Sequence, residues 1–204
     1  MKRRDVIGAG LALGALTALP VRAQPAAAGL VRIKMVTGKG AIVLDLDAQH
    51  APLTVKNFLR YVDLKKLDAN VFYRAMPNGN GADGNPRGLV QGGDSRRALP
   101  PVAHEPTSQT GLSHTDGTIS LVRGGQLPSG RGDFFICVGD MTFLDAGGGG
   151  TGDNQGFAAF GHVVEGMDVV RAIFTAPVSA TEGDGAMKGQ MLSPRVPIIT
   201  TRRV

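Results

Sequence analysis

Short stretches of alternating apolar and polar residues dominate the chain beyond its N-terminal segment. Residues 31–36 alternate in this way, residues 38–40 place two glycines around a lysine, and residues 41–46 continue as an apolar run. Two runs joined by a glycine-containing turn are typical of a β-hairpin. The same criteria predict further strands at residues 71–73, 88–91, 118–123, 134–138, 157–161 and 196–201.

Two segments have the period of a helix instead. One begins near Pro52 and spaces its apolar residues as on one helix face, at Val55, Phe58, Leu59 and Val62. The other follows Gly166 and does the same with Met167, Val170, Ile173 and Phe174. Many short strands with two isolated helices, and no regular strand–helix alternation, favour a mainly β fold in one domain, a closed antiparallel barrel.

The first residues have the features of an export signal. Lys2, Arg3 and Arg4 precede an apolar run from Val6 to Leu19, and small residues up to Ala23 suit cleavage by signal peptidase. The run is shorter than the roughly 20 residues of a membrane-spanning helix. We therefore expect a cleaved signal peptide at 1–23, a linker at 24–29 and the folded domain at 30–204. A retained anchor helix is the alternative.

Adjacent arginines favour the twin-arginine route and hence a periplasmic protein. Removing residues 1–23 takes away four basic residues and one acidic residue, which lowers the formal net charge from +5 to about +2. So small a charge does not indicate a nucleic-acid partner. The single cysteine, Cys137, lies in an apolar run and is interpreted as a small buried hydrophobic residue.

Four motifs occur in a fixed order along the domain. They are FYR at 72–74, VQGGD at 90–94, FFICVGD at 134–140 with LD at 144–145, and FAAFGHVVEGMDVV at 157–170. In this order and spacing, the chain resembles a cyclophilin-type peptidyl-prolyl cis–trans isomerase from about Val31 to Thr201. The resemblance implies a closed eight-stranded antiparallel β-barrel capped by two α-helices, with a proline-binding groove on its outer face.

Chemistry on a prolyl bond needs neither a nucleophile nor a cofactor or metal. The X–Pro bond is planar through resonance, with a barrier of about 18–20 kcal/mol. Rotation is assisted by a dry apolar slot for the ring and by a donor aimed at the prolyl nitrogen in the twisted state. Arg74 is the predicted donor, because a guanidinium is always charged and carries several N–H groups. By resemblance, Gln91 holds the arginine and the substrate carbonyl.

The predicted substrate-binding residues share aromatic, aliphatic or cationic side chains within these motifs. They are Phe72, Leu89, Leu121, Arg123, Phe135, Phe143, Leu144 and Phe157. Phe135 and Leu144 match the proline-pocket positions of the family best, whereas Phe72 is better interpreted as core support beneath the arginine. Aromatic residues in strands often belong to a plain core.

Several positions depart from the family pattern. Gly88 stands where many members carry a pocket phenylalanine, Arg123 where they carry asparagine, and Asp133 where they carry glutamine. Phe143 replaces a tryptophan and Phe157 a histidine. These changes predict an altered substrate preference, weak cyclosporin binding and reduced turnover.

Other groups of reactive residues lack the patterns that their chemistry requires. Ser95 with His104 or His114 lacks the glycine pattern of a serine nucleophile. His104, Glu105, His114 and Asp116 match no zinc-binding spacing. A single copy of the GGTGD string at 149–153 is too little for a calcium-binding repeat.

We therefore expect a monomeric isomerase that acts on proline-containing polypeptides and assists the folding of exported proteins. No nucleic acid, and no membrane after signal removal, is expected as a partner. The competing hypothesis is a proline-segment-binding module or holdase on the same fold, without efficient turnover.

Overall fold

The structure is a computed structural model that describes residues 28–93 and 98–204. The predicted signal peptide, most of the linker, and Asp94 and Ser95 lie outside the described residues. Within them the strands are β1 Leu30–Thr37, β2 Gly40–Asp47, β3 Asn70–Asn80, β4 Pro86–Gly93, β5 Thr118–Leu121, β6 Asp133–Val138, β7 Ala158–Glu165, β8 Val178–Ser179 and β9 Met191–Arg203. The α-helices are α1 Pro52–Asp63, α2 Thr107–Thr110 and α3 Met167–Phe174.

Eight strands close into an antiparallel barrel. Their order is β1, β2, β7, β5, β6, β4, β3 and β9, and β9 pairs back with β1 over Ile33–Thr37. Closure leaves these strands without an open edge, which removes a template for unwanted pairing. The two-residue strand β8 adds to β9 beside the barrel. The predicted eight-stranded barrel is confirmed.

Alternating residues of the strands fill the barrel interior. Phe134 packs edge-on against Phe58 of α1 and Phe72 of β3, with ring centroids 5.5 and 5.6 Å apart, and Phe160 lies 5.2 Å from Phe58. These four rings are among the largest fully buried side chains. Because successive residues of a strand face opposite sides, the neighbours of these core residues project from the outer face.

The predicted helices are both present, and each buries its apolar face in the core. Val55, Phe58 and Val62 of α1 are buried, as are Val170 and Ile173 of α3. A third helix, α2, was not predicted, since a single turn of four residues is too short to show helical periodicity. Two 3₁₀ turns are also present, Thr142–Leu144 and Gly185–Met187.

Helix α1 receives its N-terminal cap from a distant residue. The Glu105 carboxylate accepts hydrogen bonds from the backbone N–H groups of Leu53 and Thr54, at 3.1 and 2.8 Å, and from the Thr54 hydroxyl at 2.6 Å. Glu105 is only 2% exposed. A buried carboxylate at a helix N-terminus satisfies donors that the helix itself leaves unpaired.

No helix in the described part of the chain is long and apolar enough to cross a membrane.

Candidate active site

An open groove of about 720 Å³ lies against the outer face of β3, β4 and β6. Arg74 of β3, Gln91 of β4 and Phe135 of β6 line it side by side. Their register is direct, because Arg74 pairs with Gln91 and Gln91 pairs with Phe135. The barrel thus brings residues from three motifs into one row across the sheet.

The groove has an apolar floor separate from the barrel core. Leu89, Phe135, Cys137, Met141 and Leu144 form a second buried cluster, against which Met76, Val122 and Phe157 pack. Phe135 is its centre: its ring meets Phe157 edge-on at 5.4 Å and stacks on His114 at 5.7 Å. Such a surface excludes water and suits a compact apolar group such as a pyrrolidine ring.

Arg74 is fixed by two amide side chains. Its Nε donates to Gln190 Oε1 at 2.9 Å, and its Nη1 donates to Gln91 Oε1 at 3.0 Å. A guanidinium has five N–H donors, so further donors on Nη1 and Nη2 have no hydrogen-bond acceptor among residues 28–93 and 98–204. Those donors remain for a bound ligand.

Gln91 is itself oriented by a second partner. Its Nε2 donates to the Tyr73 hydroxyl at 2.6 Å, while its Oε1 accepts from Arg74. Gln91 is 8% exposed, so its amide has little room to turn. The chain of contacts from Tyr73 through Gln91 to Arg74 holds all three side chains along one wall of the groove.

Burial dominates the electrostatics of this wall. It lowers the pKa of Arg74, although a guanidinium stays charged in proteins. Burial, followed by the charge of Asp133, raises the pKa of Tyr73, so Tyr73 keeps its phenolic proton. The site therefore presents a partly desolvated cation beside neutral polar groups, and a desolvated cation interacts more strongly with a ligand than an exposed one.

Arg123 connects the groove to the glycine-rich loop at 146–156. Its Nε donates to the Gly156 carbonyl at 2.7 Å, its Nη2 pairs with Asp153 at 2.5 Å, and its guanidinium lies 5.8 Å from the Phe157 ring centroid. The hydrogen bond from Arg123 holds the pKa of Asp153 well below its usual range. Arg123 lines the groove, and its Nε and Nη2 bind the loop, while its Nη1 donates to the Gly124 carbonyl at 3.0 Å.

Six of the eight predicted substrate-binding residues line the groove: Leu89, Arg123, Phe135, Phe143, Leu144 and Phe157. The other two do not line it: Phe72 has the core position preferred for it above, and the prediction for Leu121 is corrected. Phe72 is 0% and Leu121 4% exposed, and both belong to the barrel core. A side chain that faces the interior of a closed barrel has no contact with a ligand on its outer face. Val122, the neighbour of Leu121, lines the groove instead.

Gly88 does not leave a gap in the groove wall. A Cβ added there would lie 2.1 Å from the Met76 carbonyl oxygen and 2.6 Å from the Phe174 ring. A side chain at this position would collide with backbone and with α3 instead of extending the groove. The apolar surface on this side comes from Met76 and Leu89.

Sequence reasoning missed Tyr73, Met76, Gln190 and Met191. Tyr73 was not predicted because the register shifts between Phe72 and Arg74. This β-bulge allows the adjacent residues Tyr73 and Arg74 both to line the groove. Gln190 is 116 residues from Arg74 in sequence, and no local pattern indicates their contact.

His114 and His104 have structural partners. His114 is fully buried; its Nδ1 lies 2.5 Å from Asp145 and its Nε2 lies 2.9 Å from the Ser120 hydroxyl. Ser120 is also fully buried, so this serine–histidine–aspartate arrangement has no access for a substrate. His104 contacts the Gln155 carbonyl at 3.2 Å. In the described ranges, no three His, Cys, Asp or Glu side chains form a group that could hold a metal ion.

Known structures share this fold. A cyclophilin-type peptidyl-prolyl cis–trans isomerase of Cryptosporidium parvum superposes with a TM-score of 0.63 at 17% sequence identity, covering 86% of this chain and 98% of that one. The same protein in the presence of the dipeptide Ala-Pro gives a TM-score of 0.64 at 16% identity, covering 85% of this chain and 98% of that one. At this identity the likeness concerns the fold alone.

Similarity in sequence identifies the family as well as the fold. Peptidyl-prolyl cis-trans isomerase A of Dickeya dadantii is 36% identical over 154 residues, 72% of this chain and 73% of that protein. Peptidyl-prolyl cis-trans isomerase B of Escherichia coli is 34% identical over 137 residues, 67% of this chain and 80% of that protein. The profile described as "Cyclophilin type peptidyl-prolyl cis-trans isomerase/CLD" matches residues 32–201. The chain belongs to the cyclophilin-type peptidyl-prolyl cis–trans isomerase family.

Proposed function

We propose that this protein catalyses cis–trans isomerisation of X–Pro bonds in polypeptides bound along the groove, with Arg74 as the electrostatic catalyst. One observation carries the proposal: the Arg74 guanidinium lies in the groove floored by Phe135 and Leu144, with N–H donors that find no acceptor in residues 28–93 and 98–204. Relatives 36% and 34% identical to this chain are named peptidyl-prolyl cis-trans isomerases.

The geometry supports a catalytic route without covalent chemistry. When the X–Pro bond twists, resonance is lost and the lone pair localises on the prolyl nitrogen. An N–H of Arg74 donates to this lone pair, an interaction that the planar ground state does not offer. A donor matched only to the twisted state lowers the barrier without tightening ground-state binding.

Gln91 has a complementary role in this proposal. One hydrogen of its amide nitrogen binds Tyr73, and its oxygen binds Arg74. The second amide hydrogen is left to donate to the carbonyl of the residue before proline. The prolyl ring rests on Phe135, whose support by His114 and Phe157 keeps the floor rigid.

A protease-coupled assay on a proline peptide tests the proposal. Wild type should accelerate isomerisation, and Arg74→Ala should lower kcat/KM by on the order of a hundredfold, because it removes a donor used only in the twisted state. Thermal unfolding of both proteins checks that the variant is folded. Equal, slow rates for the two would reject catalysis, and a persisting peptide shift in NMR would then support the binding-module hypothesis.

We also propose that the enzyme acts on exported polypeptides in the periplasm. The support is the basic, apolar and small-residue pattern of residues 1–23. Replacing Arg3 and Arg4 by lysine should leave precursor in the cytoplasm if the twin-arginine route is used. Unchanged secretion of this variant would assign the protein to the general export route. For wild type, a protein outside the cytoplasm with the size of the uncleaved precursor would contradict cleavage of the signal peptide.

A further inference from the structure

The loop between β8 and β9, residues 180–190, ends beside the groove. Most of this loop is exposed, and it is closed by backbone hydrogen bonds such as that from Gly189 N–H to the Glu182 carbonyl at 3.0 Å. Its last residue, Gln190, is partly buried and leads directly into β9. The loop is thus a surface feature whose final residue reaches the site.

Gln190 binds β3 twice. Its backbone carbonyl accepts from the Ala75 N–H at 3.0 Å, and its side-chain Oε1 accepts from Arg74 Nε at 2.9 Å. The backbone bond fixes where the side chain starts, and the side-chain bond is charge-assisted because its donor is a guanidinium. Both the backbone and the side chain of Gln190 are therefore bound to β3, the strand that carries Arg74.

The nitrogen that Gln190 binds matters for the geometry. Nε lies between the aliphatic stem and the planar fork, so an acceptor there restrains rotation of the guanidinium about the stem. Gln91 holds Nη1 of the same plane at 3.0 Å. Two acceptors on two nitrogens define the plane of the fork. Its Nη2 has no acceptor within the described part of the chain, so this edge faces the ligand in our proposal.

We propose that Gln190 is a positioning residue for the isomerisation: it orients Arg74 and does not itself contact the reacting atoms. This inference rests on the proposed function, since it assumes that Arg74 is the donor. An error of about 1 Å in the place of a catalytic group costs up to about a hundredfold in rate. Loss of one of two restraints should therefore lower turnover without changing the apolar floor that binds proline.

Three variants test the proposal kinetically. Gln190→Met keeps the side-chain length without an acceptor and should lower kcat about tenfold, with KM changed less than about twofold. Gln190→Glu keeps an oxygen acceptor and should stay within about threefold of wild type. Lys188→Met, in the same exposed loop, is the matched control and should behave as wild type.

An NMR readout makes the test independent of activity. The Arg74 Nε–H signal, assigned by its loss in Arg74→Lys, should exchange slowly with water in wild type and Gln190→Glu but quickly in Gln190→Met. Wild-type kcat for Gln190→Met, or equal losses in Gln190→Met and Gln190→Glu, would overturn the positioning role. If Arg74→Ala were as active as wild type, the proposed function would fail instead, and the signal would still report whether Gln190 holds Arg74.

Discussion

Phe135 joins the apolar floor of the groove to the polar residues behind it. It is 2% exposed, stacks on His114 and meets Phe157 edge-on. Its neighbour Phe134 faces the barrel core instead. One FF pair therefore supplies both a core residue and the centre of the groove floor, because adjacent residues of a strand face opposite sides.

Replacing Phe135 by alanine should impair stability and binding together. Removal of a buried aromatic ring costs about 3–5 kcal/mol of unfolding free energy, and loss of the floor should raise KM for a proline peptide. Denaturant unfolding and steady-state kinetics measure the two effects.

Phe143 provides a control for this change. It lines the same groove but is 36% exposed, so Phe143→Ala should change the unfolding free energy by less than about 1 kcal/mol. A Phe135→Ala protein that unfolded at the wild-type denaturant concentration would contradict the assigned packing.

The sequence predicted some groove residues and not others for identifiable reasons. Arg74 and Gln91 lie on consecutive strands and pair directly, so motif spacing was enough to bring them together. Tyr73 was omitted because simple alternation puts adjacent residues on opposite faces of a strand, and the bulge between Phe72 and Arg74 interrupts that alternation. A bulge of this kind leaves no mark in the hydrophobic pattern.

Among the structural elements, helix α1 depends most clearly on a residue outside itself. Ala51 at its N-cap makes no side-chain hydrogen bond, and Glu105 supplies the cap across 51 positions of sequence. The buried carboxylate therefore ties the loop before α2 to the start of the helix. The helix itself was predictable from its apolar spacing, whereas this cap was not.

Glu105→Ala should consequently destabilise the fold while leaving the site intact. It leaves the two buried donors of Thr54 and the partly buried N–H of Leu53 without their acceptor, which we expect to cost about 2–4 kcal/mol of unfolding free energy. Urea unfolding gives this loss, and kcat/KM of the folded variant should equal that of wild type.

Glu182 serves as the comparison for that experiment. It forms an exposed ion pair with Arg195 at 3.2 Å, so Glu182→Ala should cost less than about 1 kcal/mol. If both variants lost the same stability, the capping role of Glu105 would be wrong.

The two glycine-rich loops relate differently to the groove. Gly150 of the second loop lines it, and Arg123 ties that loop to the groove wall through Gly156 and Asp153. The loop between β3 and β4 lines a separate cavity beside Arg171 and Phe174 of α3. Both are rich in glycine and other turn-forming residues, and this composition does not indicate which one borders the site.

At the scale of the whole molecule, one closed sheet separates two apolar clusters. The barrel core lies on its inner side, and the second buried cluster, which forms the groove floor, lies on its outer side. His114 belongs to the outer side and is held neutral, because burial lowers its pKa below the usual value despite the nearby Asp145. The unfolded chain binds a proton to this histidine more readily than the folded protein does. Stability should therefore fall as the pH drops below about 6.5, the ordinary pKa of histidine.

The unfolding midpoint in urea should accordingly be lower at about pH 5 than at about pH 7.5. In His114→Gln this difference should shrink, although the variant is less stable at neutral pH. His104, whose pKa burial also lowers, accounts for part of the remaining dependence. An unchanged difference in His114→Gln would show that His114 does not contribute.

The overall fold was the most predictable feature of the chain. Alternating runs defined most barrel strands, because a strand with one buried face must alternate. Contacts between distant segments, such as Gln190 with Arg74 and Glu105 with α1, depend on the closed tertiary arrangement and have no local signal. Gln190, which orients Arg74 in our proposal, could be found only through such a contact.

The central claim is that Arg74 in this groove accelerates rotation about X–Pro bonds. Magnetisation-exchange NMR on an Ala-Pro peptide, with the protein at substoichiometric concentration, measures that rotation directly at equilibrium. Wild type should produce cis–trans exchange peaks, and Arg74→Ala, folded and still binding the peptide, should produce almost none. Peptide binding by wild type without exchange, or exchange at equal rates in both proteins, would contradict the account.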